Sequence, residues 1–157
     1  MGVFDTNFLR NTLQNIASEV SDLALILHVG SRDSWPLDLV QGTYAAMIFN
    51  THYKKQPGEH WIAVFIDGST RTGYIFDSLP VRPFPQHILH RLNKICNIVH
   101  DVNPQRFLLQ HPDYPLCGIY CLAFLERYSK AKPMLLCPQN QLLNDVTVLE
   151  HVQPFVE

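Results

Sequence analysis

The chain has 157 residues, of which 46% are hydrophobic and 17% charged, and its formal net charge is −2. This length and composition predict one globular domain, residues 1–157, with enough apolar material for its own core. The charge balance argues against a strongly basic nucleic-acid-binding surface, and no apolar run reaches the roughly 20 residues that span a bilayer. The sparse, irregularly spaced cysteines are unlike a secreted disulfide framework and indicate a reducing compartment.

The first third of the chain predicts two helices with a strand between them. Apolar residues at helical spacing over residues 4–20 predict the first helix, with Asp5 or Thr6 as its cap. Residues 23–29 form a short apolar run that predicts a buried strand. Residues 37–50 predict a second helix.

The middle of the chain predicts a β-hairpin followed by a helix. Residues 61–66 are continuously apolar, residues 67–73 form a polar connection with glycines, and residues 74–77 predict the returning strand. Residues 86–99 carry apolar side chains at helical spacing. Residues 106–109 predict a further short strand.

The last third of the chain predicts two more helices. A proline-containing loop at 110–116 leads into a strongly apolar helix at about 117–128, and a final amphipathic segment spans about 139–152. Helices and strands alternate irregularly and the clear hairpin is antiparallel. This pattern favours an α+β fold over a doubly wound parallel sheet.

Cys117 is the candidate nucleophile. It lies where the proline-containing loop meets a helix, so unpaired backbone N–H groups and the helix dipole favour its thiolate. Gly118 follows, which allows a substrate to approach the backbone closely. The other three cysteines, Cys96, Cys121 and Cys137, are interpreted as small apolar core residues.

A cysteine nucleophile requires a base, and His60 is the first candidate among eight histidines. It opens the strand at 61–66 directly after a Pro-Gly turn, which places its imidazole at the edge of a sheet. His111, next to the loop before Cys117, is the second candidate. His87 and His90 share a helix face and are interpreted as surface residues.

Asp77 is the candidate that orients the imidazole. It lies on the returning strand of the hairpin, and a turn centred near Thr70 pairs it with Ala63 or Val64. Pairing with Val64 puts Asp77 and His60 on one face of the sheet, and pairing with Ala63 does not. The sequence leaves these two registers open.

Gln110 is the candidate partner for a developing oxyanion. Acyl transfer requires hydrogen-bond donors aimed at the negative oxygen. The backbone N–H of Cys117 can supply one donor and the side-chain amide of Gln110 the other. The alternative for Gln110 is a solvated loop residue.

Together these residues form a pattern that resembles a known family. The order His60-Trp61, Asp77, Gln110, Cys117-Gly118 resembles the adenovirus-type maturation proteases (adenains) and their relatives, the SUMO-specific proteases. The intervals of 17 residues from His60 to Asp77 and 7 from Gln110 to Cys117 resemble the viral branch. The resemblance covers about residues 25–125.

The resemblance implies a permuted papain-like α+β domain, in which helices flank a central mixed sheet. It implies peptide hydrolysis through an acyl-enzyme, with viral precursor proteins cut at Gly-containing sites. Trp61 and Trp35 would border a narrow cleft that selects glycine, with Gly118 beside it. We expect no cofactor for the chemistry, no membrane association, a monomer, and a location in the virion and the host nucleus or cytoplasm.

Two departures from the adenoviral pattern concern the acid and the activators. The acidic residue is Asp77, as in the SUMO-protease branch, whereas the adenoviral enzyme uses Glu. The adenoviral enzyme is activated by a disulfide-linked viral peptide and by DNA. Cys96 is the only candidate for such a peptide link, and the slightly acidic chain predicts weak or absent DNA binding. The expected source is a related virus or a virus-like transposon.

Three alternatives remain beside a maturation protease. One is a deSUMOylase or deubiquitinase that acts on Gly-Gly termini with the same chemistry. Another is a zinc-stabilised interaction module, although Cys117 and Cys121 lie within one apolar helix and no C-x2-C knuckle is present. The last is an inactive relative, for which loss of a catalytic residue would be the sequence sign.

Overall fold

A computed structural model describes residues 5–51, 60–111 and 115–156. The helices are α1 (Thr6–Ser18), α2 (Gln86–Ile95), α3 (Cys117–Ser129) and α4 (Gln141–Val152), and a 3-10 turn follows at Gln153–Phe155. The strands are β1 (Ile26–Ser31), β2 (Ala45–Asn50), β3 (Trp61–Asp67), β4 (Thr72–Phe76) and β5 (Ile98–Asp101). Asp5 caps α1, because its carboxylate accepts a hydrogen bond from the N–H of Phe8 at 2.8 Å.

The strands of the described residues form one mixed sheet in the order β1-β2-β3-β4-β5. The outer pairs, β1 with β2 and β4 with β5, are parallel, whereas β2, β3 and β4 are antiparallel neighbours. The predicted hairpin is the β3–β4 pair. It brings the residue before β3, His60, next to the residue after β4, Asp77.

The predicted helix over residues 37–50 is wrong. Its second half is the buried strand β2, and every residue from Ala45 to Asn50 is buried between β1 and β3. A strand buried on both faces is apolar on both faces, so its sequence does not alternate and resembles a buried helix. Gly42, with φ +85°, lies in the turn region before the strand.

The prediction for residues 86–109 is also partly wrong. Helix α2 ends at Ile95, residues 98–101 form β5, and residues 106–109 form a loop rather than a strand. Asn103 holds this loop, because its Oδ1 accepts from the N–H of Phe107 at 3.1 Å and its Nδ2 donates to the carbonyl of Phe107 at 2.8 Å. Side-chain bonds of this kind replace a strand partner.

Helices cover both faces of the sheet, which confirms the α+β prediction. One core cluster joins the sheet to α1, α3 and α4, and the other joins it to α2. Helix α3 is apolar on nearly all sides because it is almost completely buried. Among the described residues, none of the helices has the length and apolar character that crossing a membrane requires.

Candidate active site

Cys117 is the first residue of α3, and its side chain is 4% exposed. The preceding residue, Leu116, cannot accept a hydrogen bond with its side chain. The N–H groups of the first helical turn therefore face the loop, where a negative sulfur or oxygen is stabilised by them and by the helix dipole. The structure thus places Cys117 at the predicted loop-to-helix junction.

The start of β3 contacts the start of α3 directly. The backbone N–H of Trp61 donates a hydrogen bond to Sγ of Cys117 at 3.4 Å. This contact joins residues 56 positions apart in the chain. It brings the sulfur to the N-terminal end of β3, next to His60.

His60 contacts both proposed partners. Its Nε2 lies 2.6 Å from Oδ1 of Asp77, and its imidazole also forms a hydrogen bond with Cys117. Because Nε2 is engaged by Asp77, Nδ1 is the nitrogen that faces the sulfur. Oδ1 of Asp77 additionally accepts the N–H of Leu79 at 3.0 Å, which holds the carboxylate in place.

The register of the hairpin differs from both predicted registers. Ala63 pairs with Phe76, so Asp77 falls opposite Ile62 rather than Ala63 or Val64. His60 and Ile62 point to the same side of the strand, and therefore so do His60 and Asp77. Asp77 lies two residues closer to His60 than in the register that pairs it with Val64, and this shift closes the gap between the two side chains.

The environment of His60 favours its charged form. Burial by itself opposes a charge, but the hydrogen bonds and negative charges of Asp77 and Cys117 outweigh it and raise the pKa of His60 to about 9. A protonated imidazole beside a cysteine sulfur is an arrangement typical of nucleophilic catalysis by cysteine.

We expect an alkaline limb in the pH dependence of kcat/KM near pH 9. The pKa of His60 is raised, so its imidazolium persists through neutral pH and is lost as the pH rises through about 9. Asp77→Ala removes a hydrogen bond and a negative charge that raise this pKa, so the limb moves to lower pH and activity weakens. Asp77→Asn keeps an acceptor without the charge and should give an intermediate limb. An unchanged limb in Asp77→Ala would contradict this assignment.

Gln110 is buried, at 2% exposure, rather than solvated. The hydroxyl of Ser78 donates to its Oε1 at 2.5 Å, and the backbone N–H of Leu109 donates to the carbonyl of Ser78 at 2.9 Å. The amide is thereby oriented with its oxygen on Ser78, which leaves the Nε2 amino group as the donating end. Ser78 follows Asp77 directly, so the acid and the amide are linked through one residue.

Helix α4 holds the segment that carries Gln110. Nδ2 of Asn144 donates to the carbonyl of Leu109 at 2.9 Å, and the hydroxyl of Tyr120 contacts the same carbonyl at 3.1 Å and Oδ1 of Asp145 at 2.5 Å. Burial and the carboxylate of Asp145 raise the pKa of Tyr120 far above its usual value. Sequence reasoning missed Ser78, Tyr120 and Asn144, because no local pattern marks them.

We expect Asn144→Ala to lower the free energy of unfolding by about 2 kcal/mol. The change removes two bonds from Nδ2, to Leu109 and to the carbonyl of Cys137, and one from the N–H of Cys137 to Oδ1. Gln141→Ala is the matched control, since the bond of Gln141 to Leu108 is exposed. Its loss should lower the free energy of unfolding by less than about 0.5 kcal/mol. Urea unfolding measures both, and equal midpoints for Asn144→Ala and wild type would contradict the prediction.

Gly118 has a packing role that differs from the predicted one. A Cβ added there would lie 2.9 Å from Cδ2 of Leu9 on α1. The side of residue 118 that a side chain would occupy therefore faces the core between α1 and α3. The structure thus shows close packing of these helices at Gly118, and the role of Gly118 in substrate approach stays a prediction.

Trp61 and Trp35 lie in different core clusters, on opposite faces of the sheet. Trp61 is 7% exposed and touches the site through its backbone. Trp35 stacks on Phe49, with ring centroids 5.9 Å apart, and carries the guanidinium of Arg91 5.6 Å from its ring. The structure does not bring the two tryptophans together as walls of one cleft.

The other cysteines occupy three different environments. Cys121 is a buried core residue, as predicted, whereas Cys137 is exposed and its core prediction is wrong. Cys96 is 8% exposed and lies close to Gly73, where an added Cβ would be 3.3 Å from Sγ. Burial raises the pKa of Cys96, partly offset by Arg71. A disulfide with a peptide would require this thiol to become exposed.

Within the described residues, no three His, Cys, Asp or Glu side chains are grouped so that they could hold a metal ion. The polar side chains at the site are instead joined to one another. His60 lies between Asp77 and Cys117, and Ser78 lies on Gln110.

The chain is similar in sequence to viral proteases. It is 28% identical over 155 residues to the protease of porcine adenovirus A serotype 3, covering 87% of this chain and 74% of that protein. It is also 28% identical over 99 residues to a protein of Acanthamoeba polyphaga mimivirus described as a thiol protease, covering 57% of this chain and 32% of that protein. No protein-family model matches the chain.

The chain is a cysteine protease whose sequence is similar to that of an adenoviral protease. The predicted enzyme class is therefore confirmed. The protease spans about three quarters of the adenoviral relative and about a third of the mimivirus relative.

Solved structures confirm the papain-like fold of the protease. The pS273R protease of ASFV superposes with a TM-score of 0.62 at 14% identity, covering 96% of this chain and 66% of that chain. The SUMO protease Ulp1 gives 0.54 at 12% identity, covering 98% and 79%. The Chlamydia trachomatis effector Cdu1, solved bound to ubiquitin, gives 0.54 at 14% identity, covering 98% and 89%. At these identities the likeness concerns the fold alone.

Proposed function

We propose that Cys117 is the nucleophile of this protease and that His60 is its general acid and base. The observation that carries the proposal is the imidazole of His60, which is hydrogen-bonded both to Asp77 and to Cys117. Asp77 holds the ring by its Nε2 and stabilises the imidazolium. Gln110 and the backbone N–H of Cys117 are the proposed oxyanion donors.

The acylation step starts from a thiolate on Cys117 beside the imidazolium of His60. The sulfur of Cys117 attacks the scissile carbonyl carbon, and the negative charge that develops on the oxygen is met by the donors of Gln110 and Cys117. As the tetrahedral intermediate collapses, the C–N bond breaks and Nδ1 of His60 gives its proton to the leaving amine. The products of this step are a thioester on Cys117 and a neutral imidazole.

The deacylation step restores the enzyme. Neutral His60 takes a proton from a water molecule, and the oxygen of that water attacks the thioester carbon. The C–S bond then breaks and the sulfur leaves with the electron pair, so Cys117 and protonated His60 again form the ion pair. No cofactor enters either step.

We further propose viral precursor proteins as substrates, cut at Gly-containing sites in the virion or infected cell. The two relatives are viral proteins, which supports a viral role. Cys117 is 4% exposed and the adjacent Trp61 is 7% exposed. A scissile carbonyl must therefore approach a largely buried residue, and a glycine next to the scissile bond approaches with the least hindrance.

A peptide library tests this proposal. We expect the protease to cleave peptides with glycine immediately before or one residue before the scissile bond, and to leave the alanine-substituted versions largely intact. The same library is assayed with and without DNA and with an added cysteine-containing peptide. Cleavage that ignores glycine would refute the substrate proposal, and a large gain with DNA would refute the expected weakness of DNA binding.

A second candidate function is removal of SUMO or ubiquitin from Gly-Gly termini. The fold similarity to the SUMO protease Ulp1 and to the ubiquitin-bound effector Cdu1 favours it. Aldehyde probes made from SUMO and from ubiquitin separate the two functions. Rapid reaction of Cys117 with either probe would favour this isopeptidase over a maturation protease.

A further inference from the structure

A hollow of about 320 Å³ adjoins the proposed catalytic pair on the side of Asp77. Its described lining includes His60 and Asp77, two arginines, Arg32 and Arg82, and the residues Thr51 and Val81. Cys117 is absent from this described lining. The hollow therefore borders the proposed base and acid.

The chemistry of the reaction assigns a part of the substrate to this side. The acyl half of the substrate becomes bonded to Cys117, whereas the leaving amine must lie within reach of the proton on His60. The residues after the scissile bond therefore extend from His60, and the hollow borders His60 itself. An extended chain advances about 3.3 Å per residue, so the first or second residue of the leaving segment reaches the hollow.

Hydrogen bonds hold the side chain of Arg32 and the backbone of the loop that carries Arg82. Nη1 of Arg32 donates to the carbonyl of Thr51 at 3.0 Å. The loop that carries Arg82 is fixed by Arg106, whose Nη2 donates to the carbonyl of Arg82 at 2.8 Å and to that of Pro80 at 2.7 Å. The guanidinium of Arg82 itself makes no ion pair with any carboxylate among the described residues.

The charges of the hollow favour an anionic side chain. Arg32 and Arg82 contribute two positive charges, and Asp77 is the acidic residue of the described lining. The carboxylate of Asp77 already accepts from His60 and from the N–H of Leu79. Guanidinium groups form their strongest hydrogen bonds with carboxylates, to which their planar donors are matched.

We propose that this hollow is a subsite for an acidic substrate residue, glutamate or aspartate, at the first or second position after the scissile bond. Arg82 binds the carboxylate, and Arg32 adds a second positive charge from the same lining. Val81, which is 71% exposed, packs against the aliphatic part of the same side chain. This subsite rests on the proposed function of Cys117 and His60.

The first test compares pairs of internally quenched peptides that share one acyl half. Each pair carries glutamate or glutamine at the first or second position after the scissile bond. We expect kcat/KM to favour the glutamate peptide of at least one pair by about fivefold to tenfold, the range for a partly exposed charged hydrogen bond. In Arg82→Ala the ratio of kcat/KM for the glutamate peptide to kcat/KM for the glutamine peptide should fall to about one, and in Arg82→Glu it should fall below one.

Lys132→Glu is the matched control for the charge change. Lys132 lies after the C-terminal end of α3, whereas Cys117 begins that helix. The substitution changes the net charge by the same amount as Arg82→Glu. If long-range attraction caused the glutamate preference, both variants would lose it equally, whereas a subsite at Arg82 predicts its loss only in Arg82→Glu. A ratio that falls equally in both variants, or wild-type ratios of one at both positions, would overturn the subsite.

A second measurement isolates the leaving side of the site. The acyl-enzyme is formed from one peptide, and dipeptide amides that begin with glutamate or glutamine are added to compete with water. The amine attacks the thioester, a new amide bond forms, and Cys117 leaves as in hydrolysis. We expect the glutamate amide to capture more acyl group than the glutamine amide in wild type but not in Arg82→Glu.

The outcomes separate the subsite from the function on which it rests. Cleavage of the peptides without any glutamate preference overturns the subsite and leaves the proposed function intact. Absence of cleavage in every peptide, with no acyl-enzyme formed, refutes the proposed function and the subsite with it.

Discussion

We expect Cys117→Ala to abolish peptide cleavage, with kcat reduced by about 10⁵-fold or more, as for removal of a nucleophile in other covalent proteases. The change removes the atom that would bond to the substrate carbonyl, and the imidazole of His60 alone cannot form the acyl-enzyme. Only one sulfur is lost from a side chain that is 4% exposed. The fold should therefore persist, which circular dichroism and thermal unfolding measure alongside turnover.

Cys137→Ala is the control for the nucleophile, because Cys137 is an exposed free cysteine away from the site. It should cleave peptides at the wild-type rate. Mass spectrometry of the protein trapped with a peptide aldehyde should show the adduct in Cys137→Ala and not in Cys117→Ala. Turnover retained in Cys117→Ala would refute the nucleophile assignment.

Gln110→Ala lowers kcat by about 10²-fold to 10³-fold, the range for loss of one oxyanion donor. The side chain is buried and its Oε1 is held by Ser78, so the amide orientation exists before substrate binds. Such a donor acts mainly on the transition state, where the oxygen carries a full charge. We therefore expect the loss in kcat with little change in KM.

Ser78→Ala separates the donor from its support. It removes the hydroxyl that donates to Oε1 of Gln110 but keeps the Nε2 amino group. The loss in kcat should therefore be smaller than in Gln110→Ala. Gln110→Glu has nearly the same shape but replaces the donor by an acceptor, so it should lose at least as much activity as Gln110→Ala. Unaltered kcat in Gln110→Ala, with the fold intact by urea unfolding, would return Gln110 to a purely structural role.

The hairpin shows how far local patterns predict the geometry. The apolar run after His60 and the polar turn at residues 67–73 predict the two strands, and the structure contains them. The register was predicted wrongly, because it depends on the details of the turn rather than on apolar alternation. Strand β3 is buried along almost its whole length, so its pattern does not select one pairing over another.

The strand β2 shows why an apolar run is ambiguous. Its six residues are buried on both faces between β1 and β3, and such a run is compatible with a helix or a strand. Gly118 is a second example, since a glycine after a cysteine fits both substrate access and helix packing. The packing role becomes visible only through Leu9, more than a hundred residues earlier in the chain.

The residues around Gln110 show a different limit. Ser78 is a polar residue after a strand, and Asn144 lies in a helix with exposed apolar neighbours such as Leu142 and Val146. Neither carries a local sign of a role near the site. Their roles become visible only from tertiary contacts. Ser78 donates to Gln110, and Asn144 donates to the carbonyl of Leu109.

By itself, the sequence determined the chemistry-bearing residue types, their order and their spacing. Cys117 at a helix start, His60 before a buried strand and Asp77 at the end of the returning strand follow from local patterns, because strand and helix ends are marked by nearby residues. Only the tertiary structure decided how these residues meet. The register that brings Asp77 to His60, the burial that orients Gln110 and the arginines beside the hollow depend on contacts between distant segments, whose free energy no local pattern contains.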